Sequence, residues 1–239
     1  MQFSRTQLLL GEESTQRLKN SRVAVFGVGG VGGHAVDALA RAGVGVLDLI
    51  DSDTVSITNI NRQLLATHAT VGRLKVEVAK ERILDISPET VVRTYPIFYT
   101  PETADQFDFS QYDYIVDAID TVTGKLCLAE RAFAVGVPII SCMGAGNKLD
   151  GTAFRVADIS KTIICPLARV MRKELKKRGI SHMKVVYSLE EAHTPVGAEE
   201  EAAALGKRQI PGSVPYIPGI AGMLLAGEVI KDLAGCQSL

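Results

Sequence analysis

The sequence is poor in cysteine and has no excess of charge of either sign. Its 239 residues include four cysteines, too few and too scattered for a disulfide framework, and no C-x-x-C pair indicates a structural zinc site. Lysine and arginine number 26 against 27 acidic residues, for a formal net charge of -1. No overall basic field therefore favours nucleic acid, and any contact with it requires a local basic patch.

Long apolar runs are also missing. The first residues, MQFSRTQLLLGEES, contain no apolar core of a secretory signal before their charges. The longest apolar stretch, at 214–226, is closed by Glu228 and is shorter than the roughly 20 residues that a bilayer span needs. These absences predict a soluble cytoplasmic protein with no membrane partner, and the chain is long enough to bury a sizeable core.

Strand-like and helix-like segments alternate along the first part of the chain, which favours an α/β fold. Right-handed crossovers then give a Rossmann-like, mostly parallel sheet with helices on both faces. A looser pattern follows, so we expect a core at 1–145 and a smaller C-terminal α+β extension at 146–239. Strands are predicted at 22–26, 46–50, 90–95, 114–119, 137–141 and 151–156, helices at 31–42, 72–85, 123–135, 166–178 and 217–234, and a mobile loop at 188–212.

A glycine-rich segment stands where the first predicted strand turns into the first predicted helix. Glycines let the backbone turn sharply and approach a phosphate or a ribose, and the helix N-terminus favours an anion. In this context the pattern indicates a nucleotide site, although it does not identify the nucleotide. The glycines are Gly27, Gly29, Gly30 and Gly32.

Asp51 ends the second strand, about 20 residues beyond the glycines, where an acid typically accepts the ribose hydroxyls. An acid there also suits a dehydrogenase that uses NAD, but the residues that follow argue against hydride transfer. They include a cluster of amides and cations suited to triphosphate cleavage, because Arg and Lys neutralise phosphate charge. The predicted ATP-binding residues here are Asp51, Asp53, Asn59, Arg62, Gln63 and Lys75.

Two carboxylates, Asp117 and Asp120, follow the fourth strand. Ligands of an open parallel sheet bind beyond the carboxyl ends of its strands, so a carboxylate there is placed to hold a Mg²⁺ that bridges phosphate oxygens. We assign the metal role to Asp120 and a structural role to Asp117.

These motifs together resemble the ubiquitin-activating-enzyme-like (ThiF/MoeB/HesA) ATP adenylyltransferase superfamily. The matching strings are GVGGVG, LIDSD, TNINRQ, VGRLK and DAID, which cover roughly residues 1–145. The resemblance implies ATP in place of NAD, with Asp51 at the ribose, with Asn59, Arg62 and Lys75 at the phosphates, and with Asp120 binding Mg²⁺. It also implies a catalytic Arg near the N-terminus, often from the partner subunit of a homodimer, for which Arg5 is the candidate.

The second half resembles the tRNA threonylcarbamoyladenosine dehydratase branch of that superfamily. The matching strings are GAG at 144–146, VADISKTI at 156–163, PLA at 166–168 and VYS at 186–188. The branch implies ATP-dependent cyclisation of threonylcarbamoyladenosine in tRNA. A carboxyl adenylate would form first, and a neighbouring group would then close a ring and expel AMP. A sulfur- or electron-transfer protein partner is compatible with this activity, but the sequence does not name one.

A basic helix supplies the local patch that an RNA substrate needs. Cationic side chains recur at i, i+3, i+4 and i+7 along 166–178 and share one face, while Leu167, Val170, Met171 and Leu175 are predicted to pack on the core. Such a stripe suits contact with the RNA backbone, although charged helix faces are more often merely solvated. The predicted tRNA-binding residues are Arg169, Arg172, Lys173, Lys176 and Lys177.

Three alternatives stay open at this point. The first is adenylation of the C-terminus of a ubiquitin-like or sulfur-carrier protein, on the same fold. The second is a nucleotide-binding module without catalysis, and the third is an NAD dehydrogenase. Cys165, before the basic helix, is the thiol best placed for acyl transfer, but isolated cysteines are usually small buried hydrophobes. The four histidines suit no metal site and receive no catalytic role.

Overall fold

We describe the protein from a computed structural model, in which residues 2–197 and 211–236 are described. A seven-stranded sheet has the order β3-β2-β1-β4-β5-β7-β6. All pairings are parallel except that of β6 with β7, which places one antiparallel strand at the edge. The strands are β1 Arg22–Phe26, β2 Val46–Ile50, β3 Val91–Tyr95, β4 Tyr114–Asp117, β5 Ile139–Cys142, β6 Phe154–Asp158 and β7 Lys184–Ser188.

Helices cover both faces of this sheet. Three of them, α3, α5 and α7, end at a glycine in the left-handed conformation, the usual C-cap. The helix α6 begins at Pro166, as predicted, because proline tolerates the first turn. The helices are α1 Ser4–Leu10, α2 Glu12–Asn20, α3 Gly30–Ala42, α4 Lys75–Ile86, α5 Val122–Val135, α6 Pro166–Lys177 and α7 Tyr216–Ala234.

The core has one apolar cluster on each face. On one face α3 and α7 pack together, and Leu39, Ala221 and Leu225 are fully buried there. On the other face α5 and α6 cover an aromatic group in which the ring of Phe26 contacts that of Tyr99 edge to face, with their centroids 4.8 Å apart. The predicted α/β architecture, with a mostly parallel sheet and helices on both faces, is therefore confirmed.

Several predicted boundaries are wrong by a few residues. The helix predicted from 72 begins at Lys75, because Gly72 has a φ of +85° and Leu74 pairs with Thr54 in an isolated bridge. The strand predicted at 114–119 ends at Asp117. The strand predicted at 137–141 is Ile139–Cys142, and that at 151–156 is Phe154–Asp158, preceded by a single 3-10 turn.

Three elements were not predicted at all, namely α1, α2 and β7. Both strands of the C-terminal half join the same sheet as the first five, and α7 lies against α3.

The division of the chain into a core at 1–145 and an extension at 146–239 stays a prediction. Of the loop predicted at 188–212, residues 198–210 lie outside the described residues, and 189–197 have no regular structure. Within the described ranges no helix is both long and apolar enough to cross a membrane.

The strand order creates a crevice at the carboxyl edge of the sheet. From β1 the chain proceeds outward to β2 and β3, and then crosses back to β4 on the other side of β1. The loops after β1 and β4 therefore leave the sheet side by side and continue in opposite directions. Open α/β sheets bind their ligands at such a switch point.

Candidate active site

The glycine-rich segment forms the turn from β1 into α3 at this switch point. Gly27 has a φ of +86°, and a Cβ there would lie 2.7 Å from the carbonyl oxygen of Ala118, just after β4. A Cβ on Gly32 would lie 1.8 Å from the carbonyl oxygen of Gly27. Both positions require glycine, because only a bare backbone fits. The loop thus lies against the chain that leaves β4.

Asp51 is oriented beside this loop by two backbone donors. The amide of Val28 donates to its Oδ2, and the amide of Asp53 donates to its Oδ1, each at 2.8 Å. Burial raises the pKa of Asp51 above its usual value, and the charge of Lys75 and the two amide bonds only partly oppose this effect. A fixed carboxylate next to a glycine-rich loop is suited to accept ribose hydroxyls.

Lys75, the first residue of α4, brings a buried ammonium to the same place. Its Nζ lies 2.6 Å from Oδ2 of Asp53 and 3.9 Å from Oδ2 of Asp51. The Lys75 side chain is 6% exposed, whereas that of Asp53 is 63% exposed. A cation is therefore held beside the nucleotide loop by a surface carboxylate that is free to move away.

The segment after β2 places two more of the predicted residues. Oδ1 of Asn59 accepts from the amide of Ser56 at 3.0 Å and so fixes a single 3-10 turn. The half-buried Arg62 donates through Nη1 to the carbonyl of Thr58 and to Oδ1 of Asn61, both at 2.9 Å. These bonds leave its Nε and Nη2 without partners among the described residues, so the guanidinium retains donors for phosphate.

Gln63 carries a buried polar atom that the fold leaves unpaired. Its backbone amide donates to Asn59 at 2.8 Å, but its side-chain Oε1 is buried without a hydrogen-bond partner among the described residues. Its Nε2 lies 3.7 Å from the position of a Cβ on Gly29. Buried polar atoms are rarely left unpaired. An unpaired amide oxygen against the glycine-rich loop is a ready acceptor for a donor group of a bound nucleotide.

The two carboxylates after β4 differ in environment. Asp117 is fully buried, lies 3.0 Å from the buried Lys125 Nζ, and accepts from Ser141 Oγ at 2.5 Å and from the amide of Ile119 at 3.3 Å. Asp120 is exposed at the carboxyl edge and makes no ion pair with any described residue. The Asp117 carboxylate is thus engaged in contacts within the fold, whereas the Asp120 carboxylate is accessible to a ligand.

Two contributions to this site were missed in the sequence. Lys125 pairs with Asp117 across a strand-to-helix turn, and no periodic pattern signals that contact. Pro218, in the first turn of α7, lies 3.0 Å from the position of a Cβ on Gly30. The side-chain Nδ2 of Asn61 donates to the backbone carbonyl of Ser213, just before α7, at 3.1 Å. The start of α7 therefore forms one wall of the glycine-rich loop.

Arg5 is the one predicted catalytic residue that lies away from this site. Its helix, α1, is held by Phe3, whose ring lies 3.3 Å from a Cβ position on Gly43, and by Gln2, which donates to the carbonyl of Ile86. Gly43 precedes β2 and Ile86 precedes β3, so both lie towards the amino edge of the sheet. The exposed Arg5 is thus on the opposite side from its own glycine-rich loop.

The basic helix α6 presents the predicted cationic face to solvent. Arg169, Lys173 and Lys176 are exposed and make no ion pair within the described part of the chain, whereas Lys177 pairs with Glu174 at 2.6 Å. The prediction that Val170 packs on the core is wrong, because its side chain is 45% exposed. Ala168 takes that place, fully buried beside Met171 and Leu175.

The thiols are placed as small buried hydrophobes. Cys127, Cys142 and Cys165 are buried and unpaired with one another. Burial raises the pKa of Cys142 to about 12, so this thiol stays protonated at neutral pH.

Comparisons with known proteins agree on one family. A model described as the ThiF family matches residues 3–239. The tRNA threonylcarbamoyladenosine dehydratase of Bacillus subtilis is 45% identical over 240 residues, which is 97% of this chain and 94% of that protein. The crystal structure of E. coli tRNA N6-threonylcarbamoyladenosine dehydratase with ATP superposes with a TM-score of 0.87 at 33% identity, covering 98% of this chain and 94% of that one. Its complex with AMP gives a TM-score of 0.88 with the same coverage.

Proposed function

The chain belongs to the ThiF family, and on that premise we propose that it catalyses the ATP-dependent dehydration of N6-threonylcarbamoyladenosine in tRNA. The product is the cyclised nucleoside, with AMP and pyrophosphate released. The observation that carries the proposal is the buried ammonium of Lys75 beside the Asp51 carboxylate and the glycine-rich loop. This combination suits a nucleoside triphosphate better than NAD, because hydride transfer does not require a buried cation next to the carboxylate that binds the ribose.

The chemistry begins at a carboxylate, which is a poor electrophile because its leaving group would be hydroxide or oxide. The substrate carboxylate attacks the α-phosphorus of ATP, the bond to the β-phosphate breaks, and pyrophosphate leaves with the bonding electrons. An acyl adenylate results. Arg62 and Lys75 neutralise the charge that develops on the phosphates, which lowers the barrier to this step.

Ring closure then follows within the same nucleoside. A neighbouring nucleophile attacks the activated carbonyl, its proton passes to solvent, and AMP leaves. The attack is intramolecular, so proximity supplies much of its rate. No protein thiol is needed, which suits a chain whose Cys142 and Cys165 are buried.

A Mg²⁺ ion fits the residues at the carboxyl edge. The open carboxylate of Asp120 would hold it, since Mg²⁺ is usually bound through one or two carboxylates together with substrate phosphates and water. When bound, the ion would neutralise phosphate charge. Asp117 and Lys125 position the turn that carries Asp120, because Asp117 accepts from the amide of Ile119 within that turn.

We further propose that the face of α6 binds the tRNA backbone and that the enzyme acts in the cytoplasm. The residues proposed for this contact are Arg169, Arg172, Lys173, Lys176 and Lys177.

We also propose that two copies of the chain form a homodimer in which Arg5 serves the partner's nucleotide. Arg5 lies away from its own glycine-rich loop, so it reaches a nucleotide only in another copy. On the same short helix, Leu8 and Leu9 are 88% and 85% exposed, an apolar surface suited to a partner subunit.

Adenylation of the C-terminus of a ubiquitin-like or sulfur-carrier protein is the alternative on this fold. It is not favoured, because the Bacillus subtilis relative that matches nearly end to end carries the dehydratase name. The alternative would require AMP formation that depends on a protein tail and ignores tRNA.

The test is ATP turnover by the purified chain with Mg²⁺, with and without tRNA that contains threonylcarbamoyladenosine, followed by mass analysis of the nucleosides. The proposal requires AMP release only with that tRNA, and a modified nucleoside lighter by about 18 Da, the mass of one water. AMP formation that is independent of tRNA, or an unchanged nucleoside mass, would reject it.

A further inference from the structure

We propose that a pocket between α6 and the turn that precedes β7 binds a phosphate of the tRNA backbone. The pocket has a volume of about 280 Å³ and is lined by Ser160, Arg172, Lys176, Ser181 and His182. A guanidinium, an ammonium, two hydroxyls and an imidazole thus face one space. The inference rests on the proposed tRNA substrate and adds to it a discrete site and three residues to which the sequence assigned no role.

Arg172 is held at the wall of the pocket by hydrogen bonds through one of its nitrogens. Its Nη1 donates to the carbonyl and Oγ1 of Thr162, at 2.8 and 2.6 Å, and also approaches the carbonyl of Ile159 at 3.4 Å. Nε and Nη2 have no hydrogen-bond partner among the described residues. A guanidinium that is held on one side loses little further freedom on binding, and its remaining fork matches phosphate geometry.

The charge around the pocket is positive, because neither Arg172 nor Lys176 is paired with an acid among the described residues. Lys176 follows Arg172 by one turn of α6, so both cations lie on the same face. The acid beside the pocket is Asp158, whose Oδ1 accepts from the amide of Ser160 at 2.8 Å and whose Oδ2 lies 3.3 Å from Nδ1 of His182. Asp158 therefore orients two of the lining residues and leaves the charges of Arg172 and Lys176 for a ligand.

The two cations at the C-terminal end of α6, Lys177 and its C-cap residue Arg178, are already paired with acids. Arg178 lies 3.1 Å from Glu130 and 3.1 Å from Glu174, and Lys177 also pairs with Glu174. The uncompensated charge of this end of the helix is thus concentrated at the pocket.

The position of the pocket excludes the ATP triphosphate as its occupant. Asp158 pairs with Lys184, the first residue of β7, so the pocket lies at the amino edge of the sheet. The glycine-rich loop lies at the carboxyl edge. A substrate that occupies this pocket and also reaches the active site must span from the amino edge to the carboxyl edge. Such a substrate is an extended polyanion, as the phosphodiester backbone of the tRNA is.

The test uses two pocket variants, Lys176→Gln and the double variant that combines Lys176→Gln with His182→Gln. The control is Lys80→Gln, which removes one lysine charge from α4, away from the pocket. The measurement is the dissociation constant for tRNA carrying threonylcarbamoyladenosine, over a range of salt concentrations. One lost phosphate contact lowers the slope of log affinity against log salt by about 0.9 and weakens binding about fivefold near 150 mM salt. We expect this for Lys176→Gln, a further loss in the double variant, and wild-type values for Lys80→Gln.

A slope and an affinity equal to those of the wild type in both pocket variants would overturn the proposal. So would the binding of inorganic phosphate, lost in the variants while tRNA binding is unaffected, because the pocket would then hold only a free anion. Mass analysis of the nucleosides made by the wild-type chain reports on the dehydratase activity separately. A wild-type chain that binds tRNA with the expected slope but removes no water would reject the proposed function and leave the pocket assigned.

Discussion

Lys75 Nζ lies 2.6 Å from Oδ2 of Asp53, and the two side chains differ sharply in exposure. The ammonium is buried, whereas its partner carboxylate reaches solvent. A triphosphate that arrives at the glycine-rich loop therefore competes with Asp53 for a cation that is already in place, and the displaced carboxylate returns to water at little cost.

Replacing Lys75 by glutamine should lower AMP formation by about 100-fold or more, the usual effect of removing one preorganised electrostatic contact to a reacting group. The measurement is single-turnover AMP release with saturating tRNA. Lys80→Gln, on the same helix, is the control and should retain wild-type rates. Equal rates in the two variants would show that Lys75 has no role at the phosphates.

Asp120→Asn should raise the Mg²⁺ concentration that half-saturates turnover by at least tenfold, because the amide loses the negative charge that a hard cation prefers. Turnover is measured against Mg²⁺ concentration. The exposed Asp85 of α4 offers the same substitution away from the site, and Asp85→Asn should leave the Mg²⁺ dependence unchanged. If Asp120→Asn follows the wild-type curve, the metal is held elsewhere.

The raised pKa of Asp51 predicts that ATP binding weakens on acidification sooner than an ordinary aspartate allows. The ionised form accepts ribose hydroxyls, and burial favours the neutral form, so affinity is lost as the pH falls through a value above 3.8. Calorimetric titration with ATP between pH 4 and 7 measures this.

Asp51→Asn serves as the reference for that titration. It should bind ATP about 10- to 100-fold more weakly at pH 7, the loss expected for hydrogen bonds to a charged group, and should lack the acid-side decline. The absence of any decline between pH 4 and 7 would show that the pKa of Asp51 is not raised, and the same decline in the variant would assign the titration to another group.

Gly32→Ala should unfold the nucleotide loop or displace it, since the new Cβ would lie 1.8 Å from the Gly27 carbonyl oxygen. Overpacking of about 3 kcal/mol lowers Tm by roughly 6–12 °C in a chain of this size. Gly227→Ala, in α7, is the opposite case: nothing lies within 4 Å of the new Cβ, and alanine favours a helix by about 0.5–1 kcal/mol. Thermal unfolding should move in opposite directions for the two variants. A change of the same sign in both would mean that close packing does not decide the outcome at Gly32.

Leu9→Glu should convert the proposed dimer to a monomer, measured as molar mass by light scattering after gel filtration. Leu84→Glu, at an exposed leucine of α4, should leave the mass unchanged. Mixing Arg5→Gln chains with the nearly inactive Lys75→Gln chains should restore about a quarter of the activity, because one of the two sites in each mixed dimer is then intact. No recovery would place Arg5 at its own nucleotide or outside catalysis.

The nucleotide edge of the fold was predictable because its signals are local. β1 and β2 are short apolar runs buried between helices, and the Gly27 turn between β1 and α3 is imposed by sequence neighbours. Because β2 and β4 are parallel, Asp51 and Asp120 then lie at the same carboxyl edge of the sheet.

The missed features depend on contacts distant in sequence. Leu18 is the single apolar residue of α2, so the amphipathic signal of this segment was too weak to predict a helix. The anchoring of Arg172 on Thr162, and the docking of α1 away from its own nucleotide loop, emerge only when the chain is folded. Val170 was assigned to the core by spacing alone, although α6 covers the sheet with a narrower stripe.

The contact between Pro218 and Gly30 also has a consequence for biosynthesis. The glycine-rich loop leaves the ribosome well before the helix that forms its wall, so the loop waits until the residues between Gly30 and Pro218 have been made. At about 5–20 residues per second that interval is roughly 10–40 s. During that interval a nascent chain can form the first strands and helices but not the finished loop, so ATP is expected to bind only after α7 has been made.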